Sequence, residues 1–225
     1  MISIFSLGGT CEPALAMDRY LTAKRANSAF DWLVTPYRSL LAVLHDDGEQ
    51  FGIDFRFVDD TVFSERYRLH YHHEFERTTR DEITFSTRQI AGLRDKLIYK
   101  RREMLRIARD TTAIFLRVGV ATDVPEDRHG NGALDRYDVG ELISTSRRKL
   151  GHNDFRVLFI ERHWPDRQEF VADAPGLHEV RRRPYQQVPG MGYAGDAEFW
   201  AELFQSLDLQ PDAVLANATT LNGHI

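Results

Sequence analysis

Cysteine is nearly absent from this sequence. Cys11 is the one thiol among 225 residues, so the chain can close no internal disulfide and carries no framework suited to an oxidising compartment. Long apolar runs are missing as well. The stretch Met1-Ile2-Ser3-Ile4-Phe5-Ser6-Leu7 is too short to span a bilayer and has no basic flank of a secretion signal, which points to a cytoplasmic protein without a membrane span. Nor is positive charge in excess. Lys and Arg number 29 against 34 Asp and Glu, a net charge of −5, and phosphate binding draws on such an excess, so nucleic acid is not expected as a partner. The basic clusters Lys100-Arg101-Arg102, Arg147-Arg148-Lys149 and Arg181-Arg182-Arg183 read as solvated faces. No dinucleotide fingerprint, internal repeat or low-complexity linker occurs. His70 and His72 would share one face of a strand, but no third ligand stands at a telling spacing, so neither a metal nor another cofactor is expected.

What is present is an ordinary globular mixture, 42% hydrophobic and 28% charged, of a length that suits one domain. Residues 2–7 form a compact apolar run that ends at Gly8-Gly9, a buried strand stopped by a turn. Pro13 fits the first turn of a helix reaching about Leu21, because its missing N–H would have had no partner there. Tyr37, Leu40, Leu41 and Leu44 recur at helical spacing. Two alternating stretches, 55–63 and 67–75, read as strands or extended structure. A long helix is marked by Ile90, Leu93, Leu97, Met104, Leu105 and Ala108, and a strand at 113–118 follows it directly. A helix carrying Val139, Leu142 and Ile143, a strand at 155–160, an edge strand within 176–184 and a helix with Phe199, Trp200, Leu203, Phe204 and Leu207 complete the pattern. Strands alternating with helices predict an α/β fold: a single three-layer domain over residues 1–210 with a mostly parallel sheet, and a loosely attached tail over 211–225.

In such sheets the reactive crevice lies at the carboxyl ends of the strands, where the first strand-to-helix turn would put Cys11. A thiol at a helix N-terminus meets the positive end of the dipole, which favours the thiolate and predicts a pKa below the ordinary value. The competing role is that of a small buried hydrophobe, the usual fate of a free cysteine. A nucleophilic thiol needs a base. Of nine histidines, the group His70-Tyr71-His72-His73 ends an alternating stretch, whereas His45, His129, His152, His163 and His224 sit in polar turns or chain ends.

These residues resemble a bacterial family described as papain-like cysteine peptidases, a domain of largely inferred function. Its pattern opens on a strand with Ser-Leu-Gly-x-x-Cys, here Ser6-Leu7-Gly8-Gly9-Thr10-Cys11, and continues with Phe30-Asp31-Trp32 before Thr35-Pro36. His73-Glu74-Phe75 is similar to its His-Asp-Phe element, with Glu in place of Asp. Tyr99-Lys100-Arg101-Arg102, Phe115-Leu116-Arg117 and Gly195-Asp196 with Trp200 follow in the same order. The resemblance implies covalent acyl chemistry on a small-molecule or peptide acyl substrate, as hydrolysis or as acyl transfer. Cys11 would attack, His73 would move the proton, and Asp31 or Glu74 would orient the imidazole. Backbone N–H groups of residues 9–12 would hold the oxyanion, with Gly8, Gly9, Thr10, Trp32 and Arg117 lining the substrate site. The strand pattern is not that of papain, and a non-catalytic module holding an anionic ligand at the Gly-rich turn is the second expectation.

Overall fold

The structure is a computed structural model that describes residues 1–21, 25–58, 61–71, 73–77, 83–84, 86–119, 136–163, 178–184 and 197–207. Its elements in chain order are β1 (Ile2–Ser6), α1 (Glu12–Tyr20), β2 (Leu33–Val34), α2 (Tyr37–His45), β3 (Phe55–Val58), β4 (Thr61–Ser64), β5 (Leu69–Tyr71), β6 (Glu76–Arg77) and β7 (Ile83–Thr84). There follow α3 (Thr87–Arg109), β8 (Thr112–Gly119), α4 (Arg136–Leu150), β9 (Phe155–His163), β10 (His178–Pro184) and α5 (Ala197–Ser206).

Helices and strands are mixed around a four-stranded sheet of order β1-β8-β9-β10, in which each neighbouring pair is parallel. Each side chain alternates between the two faces, as the strand period demands. On one face Ile4, Ile114, Leu116, Val118, Leu158 and Ile160 meet Ala16 and Met17 of α1 and Trp200, Leu203 and Phe204 of α5. The opposite face sends Phe5, Phe115, Val157 and Phe159 into a larger core with Leu40 of α2, Leu97 and Met104 of α3 and Leu142 of α4. On β1, β8 and β9 both faces thus pack apolar side chains against helices, as parallel strands require.

A second sheet, order β2-β5-β4-β3, is antiparallel throughout and departs from the expectation of one mostly parallel sheet. It feeds the larger core through Leu33, Val62, Leu69 and Tyr71. The apolar segment 30–35 contributes only the two-residue β2 to it. Between residues 55 and 63 the chain forms an antiparallel pair, β3 with β4, rather than one strand. The third helix begins with a reciprocal cap: Ser86 accepts from the Gln89 N–H at 3.2 Å while the Gln89 side chain accepts from the Ser86 N–H at 2.6 Å.

The solvated reading of the basic clusters needs correction at Arg101. This side chain is 3% exposed and donates to Asp47, which also accepts from Lys149. Asp47 follows α2, so its carboxylate draws α3 and α4 to the same turn. The tail at 211–225, His72 and the Gly195-Asp196 motif lie outside the described residues.

Candidate functional site

The chain leaves β1 through a turn held on three sides. The Leu7 N–H donates to the Leu116 carbonyl at 2.7 Å, and the Val118 N–H donates to the Gly8 carbonyl at 3.2 Å, so the turn continues the pairing of β1 with β8. From the other side the Thr35 N–H donates to the Gly9 carbonyl at 3.3 Å. Glycine is required here. Gly9 has φ +94°, and a Cβ at that position would stand 2.0 Å from the Val118 carbonyl oxygen. At Gly8, φ +73°, a Cβ would crowd Thr35 and Phe30 at 3.0 to 3.3 Å.

Cys11 is the residue that caps α1, with φ −74° and ψ −5°, and it is buried. The expected depression of its pKa does not follow from these surroundings. Burial is the largest influence and pushes the thiol up; its own backbone N–H pulls down, and neighbouring Glu12 pushes up again. Thr10 accepts from the Glu12 N–H at 3.2 Å, which removes that N–H from the expected oxyanion donors and leaves those of Gly9, Thr10 and Cys11. Glu12 itself is 1% exposed and accepts from the Trp200 indole at 3.3 Å, a bond across 188 positions that joins α5 to the first turn of α1. Sequence reading missed this pair. Its only sequence signals are an acid at the first position of a helix and a tryptophan in a late apolar stripe.

Asp31 is fully buried and bound to the chain just before it. One carboxylate oxygen accepts from the Arg25 guanidinium at 2.8 Å and from the Ser28 N–H at 2.9 Å, and Arg25 also reaches Asp18 at 2.7 Å. Burial raises the Asp31 carboxyl above its ordinary value against the pull of Arg25. Through that oxygen Asp31 anchors the turn before β2, while its other oxygen, Oδ1, is buried without a hydrogen-bond partner among the described residues. Glu74 is likewise engaged, by Lys96 of α3 at 2.5 Å.

His73 lies beyond the end of β5, so strand alternation does not set its direction, and its exposed ring meets Trp32 edge-on at 5.7 Å. Trp32 belongs to the same short segment that bonds Gly9 through Thr35 and crowds Gly8 through Phe30. His70, by contrast, is buried with its ring 4.8 Å from that of Phe63. Among the described residues no group of three or more His, Cys, Asp or Glu is arranged to hold a metal ion, and no helix is long and apolar enough to cross a membrane.

Arg117 sits near the carboxyl end of β8, on the face that carries Phe115, and is 2% exposed. Its Nη1 donates to the Leu7 carbonyl at 2.9 Å, its guanidinium lies over the Tyr37 ring at 5.7 Å, and its Nε is sealed with no hydrogen-bond partner. Burial lowers its pKa to about 10, with Tyr37 the one counter-influence, so it stays cationic at neutral pH.

Comparison with protein-family models, with curated proteins and with solved structures finds no match to this chain.

Proposed function

We propose that this chain carries out cysteine-dependent acyl chemistry, with Cys11 as nucleophile and His73 as the proton-moving base, in a three-layer domain whose first strand-to-helix turn is the reactive edge. The observation that carries the reading is the segment 30–35. It bonds the Gly9 carbonyl through Thr35 and contacts the His73 ring through Trp32, so one short stretch of chain touches both the thiol turn and the imidazole. The resemblance to papain-like cysteine peptidases supports the same pair.

In the proposed reaction His73 takes the Cys11 thiol proton, the sulfur as thiolate attacks the carbonyl carbon, and the C=O electron pair moves to oxygen facing the N–H groups of Gly9, Thr10 and Cys11. Collapse expels the leaving group, which takes a proton from the His73 imidazolium. A second nucleophile, water or an acceptor amine or alcohol, then gives up its proton to His73 as it opens the thioester. Trp32 would support the imidazole ring through its edge contact.

An activated acyl ester should leave an acyl group on Cys11, detectable by intact mass and peptide mapping, and Cys11→Ser should abolish it. Replacing His73 by Ala should slow acylation by about 10²- to 10⁴-fold with the fold retained. Acylation elsewhere, or an unchanged rate in the His73 variant, sinks the proposal. The upward push on the thiol favours a second reading, a non-catalytic module that binds an anion at the same turn. That reading predicts no adduct at any pH and saturable anion binding.

A further inference from the structure

Arg117 is an anomaly of charge. It stands at an inward position of β8 in line with Ala113 and Phe115, where an aliphatic side chain would pack without cost. Instead the position holds a guanidinium that is 2% exposed, and among the described residues no carboxylate lies within ion-pair reach of it. Buried cations are tolerated when an anion or a full set of acceptors balances them. Among the described residues Nη1 donates to the Leu7 carbonyl, and the sealed Nε has no hydrogen-bond partner.

The guanidinium lies directly under the Gly-rich turn. A Cβ on Gly9 would be 3.6 Å from Arg117 Cζ, so the guanidinium packs close against the bare backbone of Gly9, two residues before Cys11. Guanidinium groups bind planar oxyanions through paired N–H donors, and the N-terminus of a helix supplies further N–H groups of the same polarity. Net charge decides the kind of anion. Among the described residues Arg117 is the cation beneath the turn, and buried Glu12 places a carboxyl group at the first helical position, which favours an anion of a single charge over a dianion.

We propose that Arg117 and the turn of Gly8, Gly9 and Thr10 form a receptor for a single carboxylate, so that the substrate of Cys11 is a carboxylate-bearing acyl compound. The proposal rests on the reading of Cys11 as nucleophile for its second half; the carboxylate receptor stands without it.

Two alkylating agents separate these halves. In each, the Cys11 thiolate forms a C–S bond as the C–I bond breaks and iodide leaves with the electron pair, the thiol proton having gone to His73 or buffer. Iodoacetate carries a carboxylate and iodoacetamide does not. At constant ionic strength the iodoacetate-to-iodoacetamide rate ratio should fall about ten-fold in Arg117→Met, the worth of one charge-assisted pair. Acetate should slow the iodoacetate reaction saturably, and more effectively than inorganic phosphate. An equal ratio in the two proteins, or stronger protection by phosphate, overturns the proposal. Because Arg117→Met could fail to fold, the Nε–Hε resonance of Arg117, slow to exchange in its sealed position, gives a direct reading in the wild-type chain. It should shift saturably with acetate, and an unmoved resonance also overturns the proposal. The same shift persisting in Cys11→Ser would keep the receptor even if the thiol chemistry fails.

Discussion

At Cys11 two influences oppose each other, and the balance fixes a pH profile. Burial and the Glu12 carboxyl favour the neutral thiol more than the local N–H favours the thiolate. The rate of iodoacetamide labelling should therefore inflect above the ordinary thiol value of about 8.5, and Glu12→Gln should move the inflection down. An inflection below that value would mean that the helix terminus dominates instead. Since the folded chain holds the thiol proton more tightly than the unfolded one, the linked stability is complete below the unfolded pKa and is lost as pH rises through the folded one. Gly9 gives a second residue-scale outcome. A methyl group there meets the Val118 carbonyl at 2.0 Å on top of a left-handed backbone, so Gly9→Ala should cost at least about 3 kcal/mol in urea unfolding. A loss under about 1 kcal/mol would show that β8 can yield at this point. Gly9 was legible as a turn residue, but its clash partner 109 positions onward was not. Asp31 tells the same story. An acid between Phe30 and Trp32 announces that it must be paired, yet its partner Arg25 came from a polar connection that looked like solvent-facing chain.

At the scale of elements, the helices were readable and the second sheet was not. In α3 the buried Leu93, Leu97, Met104 and Ala108 keep helical spacing over about four turns, a signal that survives any local irregularity. Strands β2 and β5 contain two and three residues. Their pairing of Leu33 with Tyr71 is set by contacts almost forty positions apart, and no window along the chain holds that information. The capping box predicts its own worth: Ser86→Ala should lower stability by about 1 kcal/mol, measured by urea denaturation, and should fray the first turn of α3 in amide exchange. Because Lys96 of that helix bonds Glu74, a loosened α3 would also release the residue next to His73. The link of α5 to α1 is tested by Trp200→Phe, which keeps the ring stacked at 5.7 Å on Phe204 but deletes the donor to Glu12. A loss of about 1 to 3 kcal/mol is expected, the cost of leaving a buried acceptor short of its bond, and no loss would mean that the bond is idle.

For the molecule as a whole, acid sensitivity should centre on Asp47, where α2, α3 and α4 converge. Burial alone would raise this carboxyl, but Lys149 and Arg101 overcome it and hold the pKa below the ordinary aspartate range. Its contribution is present above the unfolded value of about 3.9 and disappears as pH falls through the lower folded value. Asp47→Asn should flatten the acid limb of the stability curve, modestly and less so in high salt, since the carboxylate is more than half exposed. The order of strands has a temporal consequence. Among the described residues β1 has one sheet neighbour, β8, and register pairs Ile4 with Ile114 and Ser6 with Leu116. During synthesis β1 and the thiol after it emerge before β8 and wait for about a hundred further residues before their template exists. Loop closure over that distance is slow, and the waiting edge is open to other chains. The nascent chain thus passes through a window in which Cys11 is an unguarded thiol, closed only when β8 docks. Pulsed alkylation during refolding should find its protection arriving with the last kinetic phase rather than with early helix formation.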